Sequence, residues 1–400
     1  MKIFISIVFL FVFTIPVFAD EQHHHGVVNF GKVNFPVSCS PETQKQFNQA
    51  VAILHCFGYE EAANAFIEVS KADPDCAMAY WGLAMTYYHP IWAPPNPQQL
   101  AKGKEAVEKA KAASKQTDRE KAYISALSMF YQDYQNVGHM DRAKKYSAAM
   151  KEVAAKYPED NEATIFYALA LRGTAPPNDK TYVIQKESAE ILNGVLKKEP
   201  EHPGIAHYLI HCFDYPGLAE VALPAARIYS KISPSSPHAL HMPSHIFTRL
   251  GYWQESVDSN IASAKSAVEH VQRLHPGSGS FDQLHAMDYL VYAYLQMGQD
   301  ENAKKVFDEM KTITKLDEDQ FAAAYAFAAV PVRYSVERGR WADAAAITAG
   351  PSWFPWKKFP YAEAITYFGR GLGSARTGDV EAARKNLAEL DRLHQAAVEL

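Results

Sequence analysis

Two stretches decide the fold: Glu61-Ala62-Ala63-Asn64-Ala65-Phe66, leading to Asp73-Pro74, and then Tyr80-Trp81-Gly82-Leu83-Ala84 with Tyr87. A small residue at Ala62 is followed four residues later by Phe66, and Pro74 stands eight beyond that. The first interval keeps both side chains on one helix face, and the proline ends the unit because it cannot continue a helix ladder. The proline recurs at Pro158, Pro200 and Pro234, the last two 234 − 200 = 34 residues apart. Glycines suited to the turn between paired helices stand at Gly217, Gly251, Gly298, Gly339 and Gly378. From Pro41 onward, Ala and large apolar residues recur at three- and four-residue spacing, and strand signals are nearly absent. A helix pair of this length has too little apolar face to stand alone, so neighbours stack and share a core.

This pattern resembles the tetratricopeptide (TPR) repeat, and it predicts an all-α, TPR-like α-solenoid of stacked antiparallel helix pairs, roughly eight of them. Irregular connections are expected at residues 93–97, 175–179, 277–280 and 351–360, where prolines or glycines cluster. The resemblance extends to longer strings: His238-Ala239-Leu240-His241-Met242-Pro243-Ser244-His245-Ile246-Phe247, Cys76-Ala77-Met78-Ala79-Tyr80-Trp81-Gly82, His89-Pro90-Ile91-Trp92 and His207-Tyr208-Leu209-Ile210-His211. These are similar to a family of secreted bacterial TPR-containing proteins, across nearly the whole chain. That resemblance implies the fold and export, and no established reaction.

Residues 1–19 read independently as a secretory signal peptide: Lys2, an apolar run over 3–17, and Val17-Phe18-Ala19 before Asp20. The run is too short to favour a permanent span. Residues 20–40 read as an extended or irregular segment and 41–400 as the repeat domain. The expected location is periplasmic or extracellular, with a soluble chain after cleavage. Forty basic against forty-five acidic residues give a formal charge of −5, and the lysines of residues 102–115 alternate with Glu and Ala as a solvated helix face, so no nucleic-acid partner is expected. An oxidising compartment predicts a disulfide between Cys39, before the first helix, and Cys76, after the second; Cys56 and Cys212 fall within helices and are expected free and buried. The final helix, from Ala382, is expected to leave apolar surface exposed.

H-E-x-x-H, G-x-S-x-G and P-loop signatures are missing, and Gly369-Arg370-Gly371-Leu372-Gly373 lacks the preceding strand of a dinucleotide site. The histidines are the lead to function. His207 and His211 repeat in register as His241 and His245: 241 − 207 = 34 and 245 − 211 = 34. Each pair is spaced i, i+4 and leaves one helix face. Asp288 falls in the slot of His207 and His241 one unit later, and His238 and His285 share a slot at the edge. On the first helix of each pair these slots line the concave groove. His207, His211, His241, His245 and Asp288 therefore predict one shared site for a divalent transition metal, with Zn, Cu, Ni and Fe all compatible with imidazole. Asp214, three residues after His211, is expected either to orient that ring or to be a helix-end acid. His55 and His89, also 34 apart, are expected to face the same groove near Trp81 and Trp92. The competing account of the in-register histidines is duplicated sequence hydrogen-bonding in a polar groove. Three functions follow: an exported binding or scaffold protein that holds a metal, or a ligand through it; a protein- or peptide-binding TPR module; or a metal-dependent enzyme.

Overall fold

The computed structural model describes residues 28–399, so the signal-peptide reading of 1–19, His23-His24-His25 and the first residues of the 20–40 segment lie outside the described residues. The helices, in order, are α1 (Pro41–His55), α2 (Tyr59–Ala72), α3 (Ala77–Met85), α4 (Pro97–Ala112), α5 (Asp118–Tyr131), α6 (His139–Lys156), α7 (Asn161–Arg172), α8 (Val183–Leu196), α9 (Pro203–Phe213) and α10 (Ala219–Ile232). Then follow α11 (Pro237–His241), α12 (Pro243–Leu250), α13 (Trp253–Leu274), α14 (Phe281–Gln296), α15 (Asp300–Met310), α16 (Phe321–Val336), α17 (Trp341–Ala345), α18 (Pro360–Thr377) and α19 (Val380–Val398). No strand occurs among the described residues, only isolated bridges at Cys76/Lys115 and Gly279/Leu316.

Each helix packs on the next, and the first helices of successive pairs also pack on one another: α1 on α3, α3 on α5, α7 on α9, α9 on α12, α11 on α14, α14 on α16 and α16 on α18. That second series makes the array a TPR-like solenoid, with the first helices lining its inner face. Nine pairs are present among the described residues rather than eight. The first helix of the sixth pair is split into α11 and α12, because Pro243 lacks the N–H that would continue the ladder. Local chemistry sets the boundaries: Asn96 with Gln99 and Thr117 with Glu120 form capping boxes, and proline opens α1, α4, α9, α11, α12 and α18. Gly82 permits the close crossing of α3 over α2, since a Cβ there would lie 2.2 Å from the Phe66 ring. Phe66 and Gly82, two residues of the repeat signature, thus meet.

The array curls so far that α1 also touches α9. Inside the curl runs the extended segment before α1. Phe35 is fully buried and its ring packs against Phe47, Trp81, Tyr123 and Phe166, from α1, α3, α5 and α7. Its backbone is held by Gln44, which donates to the Phe35 carbonyl at 3.0 Å and accepts from Val37 N–H at 3.0 Å. Further back, Lys32 N–H donates to the Glu201 carbonyl at 3.0 Å. The inner face of the first four pairs is therefore filled by the chain's own residues.

Cys39 and Cys76 are disulfide-bonded with Cα atoms 4.8 Å apart, and Cys56 and Cys212 are free and buried. The bond ties the end of the inner segment to the start of α3. It closes a loop of 37 residues, for which the chain-entropy model gives about 4 kcal/mol. Changing both cysteines to serine is expected to lower stability by roughly that amount, read as an earlier denaturant midpoint with an unchanged slope. An unchanged midpoint would contradict it. On α19, Val380, Leu387 and Val398 are 60%, 57% and 70% exposed, the apolar surface expected of the last helix.

Candidate metal centre

Three successive inner helices carry the histidines: α9 supplies His207 and His211, the split α11/α12 supplies His238, His241 and His245, and α14 supplies His285. They form two groups, not one. In the first, His207 Nε2 lies 3.0 Å from His211 Nε2 and 3.0 Å from His238 Nε2. In the second, His241 Nε2 lies 2.9 Å from His245 Nε2. With one ring nitrogen from each residue, His207, His211 and His238, and likewise His241, His245 and His285, lie within 4.8 Å of one another.

The single site predicted from the 34-residue register is thus corrected. The i, i+4 spacing does bring each pair together, because residues four apart stack along one face. The third member of each group comes from the next unit, three residues ahead of its own slot: 241 − 3 = 238 and 288 − 3 = 285. His238 and His285, read as edge residues, are interior members. Asp288 joins neither group: it is buried and paired with Arg333 Nη1 at 2.6 Å, which places its carboxylate toward α16. The series also has a start, because the residue three before His207 is Gly204. A Cβ there would sit 2.7 Å from His55 Nδ1.

The outward nitrogens are fixed. His207 Nδ1–H donates to the His55 carbonyl at 2.6 Å. His241 Nδ1–H donates to Asn260 Oδ1 at 2.7 Å, and the amide is oriented by its own donation to the Ser256 carbonyl at 2.7 Å. His245 Nδ1–H donates to Asp214 Oδ2 at 2.9 Å. Asp214 therefore orients His245 rather than His211, and it also accepts from Arg249. Burial pushes the Asp214 carboxyl up, but His245 and Arg249 outweigh this and hold it below the usual carboxylate range. A neutral imidazole carries one ring proton. With both rings neutral, His241 and His245 commit their protons to Nδ1, and two Nε2 lone pairs face each other at 2.9 Å with nothing to donate between them. In the first group two Nε2 atoms converge on the single lone pair of His207.

Protonation is a poor remedy at five of the six rings. Burial, reinforced by the neighbouring imidazoles, pushes His211, His238 and His241 well below the ordinary histidine range; burial takes His207 and His285 down to about 3. Aromatic rings seal the first group. Phe57, held at φ +58°, places its ring 4.4 Å from His207, and Trp92 lies 4.9 Å from His211. Tyr229 stacks on the far side of His207 at 5.0 Å. Tyr289 covers the second group, 4.9 Å from His241 and 5.1 Å from His245.

A third cluster, absent from the sequence reading except for His55, provides a contrast. His55 Nε2 and His202 Nε2 donate to the two oxygens of Glu162 at 3.0 and 2.9 Å. Tyr208 OH donates to His55 Nδ1 at 2.7 Å, and Gly204 N–H donates to His202 Nδ1 at 3.2 Å. Every imidazole lone pair meets a proton, so this network closes without a cation. Burial pushes the Glu162 carboxyl up, but His202 and His55 more than reverse it and leave it at about 2. Replacing Glu162 by alanine strands two buried N–H donors and is expected to cost about 3–5 kcal/mol. Glu162→Gln, which keeps one acceptor, is expected to cost less. A chemical-denaturation series orders the three proteins, and equal midpoints would remove the network from the account.

His55 therefore does not face the metal groups with its ring; its carbonyl serves His207. His89 is apart from both, donating to the Ala93 carbonyl at 3.0 Å and lying against Tyr59. Of the two tryptophans, Trp81 is in the Phe35 core and Trp92 at the first histidine group.

The chain matches no family model and no curated protein. Solved structures similar to it include a human IFIT1 dimer with PPP-AAAA, 13% identical, covering 87% of this chain and 89% of that one with a TM-score of 0.30. Another is the TPR domain of P58(IPK), 10% identical, covering 89% and 99% with a TM-score of 0.24.

Proposed function

We propose that this chain is an exported TPR-like scaffold that holds transition-metal ions in its interior, one in the His207/His211/His238 group and one in the His241/His245/His285 group. The observation that carries the reading is the 2.9 Å approach of His241 Nε2 and His245 Nε2, whose rings donate their Nδ1–H elsewhere, to Asn260 and Asp214. A cation bound to both lone pairs relieves that contact. Three imidazoles per ion and an open fourth position match the donor count of catalytic and carrier sites rather than closed structural ones. Donation from the Nδ1–H of His207, His241 and His245 to a carbonyl, amide and carboxylate is the usual outer support of a ligating histidine. Export is supported by the reading of residues 1–19, by the resemblance to secreted bacterial TPR proteins, and by the Cys39–Cys76 disulfide.

The competing peptide-binding reading loses its usual surface along the first four pairs, because residues 28–39 already occupy the inner face there. The test is thermal unfolding of metal-stripped protein with and without added Zn²⁺ or Cu²⁺. Metal at about a thousand times its dissociation constant adds about 4 kcal/mol, a rise of several degrees in melting temperature. Asp214→Asn is expected to weaken binding at the second group by about 10–100-fold. No rise with either ion would overturn the proposal.

A further inference from the structure

The two histidine groups share a helix. His238 belongs to one and His241 to the other, three residues apart on α11, where Cβ atoms are about 5–6 Å apart. Asp214, at the end of the helix that carries His207 and His211, reaches across to His245. The groups are neighbours built by one motif used twice, each with buried members and half-buried ones: His238 in the first, His245 and His285 in the second.

Resting on the metal-binding reading above, we propose that the two groups form one dinuclear copper centre whose open positions are spanned by a single small anion. Three features choose copper. All six donors are imidazoles, with no carboxylate in either group to select a harder ion. Copper(II) also stands highest in affinity among the divalent first-row metals for such nitrogen sites. Further, the six ligands are neutral, so two dications in this interior carry charge that the ligands do not offset, and an isolated buried charge is costly. The one nearby carboxylate at the second group, Asp214, is already engaged by Arg249 and His245. A bound anion shared by both ions supplies the missing negative charge.

The test uses the full chain, stripped of metal, reloaded with Cu²⁺ and titrated with azide. Electron paramagnetic resonance is expected to show two bound ions with a dipolar-broadened spectrum and a half-field transition. Azide is expected to saturate at one per two coppers and to reduce the signal further. His211→Ala is expected to give one copper and an unbroadened spectrum. Two coppers with the summed spectrum of isolated ions, or azide saturating at one per copper, would overturn the dinuclear centre while leaving metal binding intact. Failure to take up copper, with zinc bound instead, would overturn the choice of metal. Failure to bind either would overturn both this inference and the reading beneath it.

Discussion

Protein carrying His211→Ala is expected to hold one metal ion where the natural sequence holds two, and His245→Ala is expected to lose the other. A structural metal site binds with roughly 10–16 kcal/mol from four ligands, so one imidazole's share is about 3–4 kcal/mol, or about a hundred- to a thousandfold in affinity. Each change removes a ligand of one group only, because His211 approaches His207 and His245 approaches His241. The loss should therefore be selective. His270→Ala and His394→Ala are the controls, since neither residue belongs to a group. Competition with a chromophoric chelator measures the stoichiometry and both affinities. Loss of both ions from either single substitution would contradict two separately built groups. Loss of neither would remove these histidines from the site.

Acid is expected to have the largest effect on the metal-free fold. His55, His207, His211 and His241 are almost wholly buried, and burial holds each below the ordinary histidine value, His207 at about 3. In the unfolded chain the same groups take up a proton near pH 6.5. The unfolded state thus binds more protons, and stability that is fully present above about pH 6.5 is lost as the pH falls toward 3. One pH unit below the unfolded value, the three held furthest down, His207, His211 and His241, each cost about 1.4 kcal/mol and together about 4, a large part of the stability of an ordinary domain. His275 shifts the opposite way through Glu60, but it is exposed and contributes little. Circular dichroism of chelator-treated protein is expected to show unfolding between about pH 6 and 5. A helical signal that persists to about pH 4 would contradict the neutral, buried state assigned to these rings.

Much of the architecture was legible because each signal was local. Ala62, Phe66 and Pro74 announced the helix pair, and the packing of Phe66 over Gly82 is the contact that those residue types imply. Cys39 and Cys76 were readable from their positions at the ends of antiparallel partners. The histidine register was legible too, but it was followed along one slot when the groups are built diagonally. His238 and His285 stand three residues before that slot and lean toward the previous unit. A neighbouring-helix contact of that kind depends on how far the solenoid curls, which no spacing within one helix reports.

Asp288 shared the slot and failed to join, because Arg333, 45 residues away, claims its carboxylate. Glu162 and His202 left no signal at all; they meet His55 only because α1 is brought against α9. The inner segment was likewise invisible as such. Residues 28–39 carry no helical periodicity, and the repeated Val-Asn-Phe of 28–30 and 33–35, whose Phe30 and Phe35 are both buried, is the hint that the stretch is packed inside.

The metal content of the protein as it is made bears most directly on the two histidine groups. The measurement is elemental analysis of the chain purified without an affinity tag, with His23, His24 and His25 replaced by serine to remove adventitious binding. Two equivalents of transition metal per chain are predicted, falling to one in His211→Ala. Protein that carries none, and takes up neither copper nor zinc near neutral pH after chelator treatment, would contradict their role as metal sites.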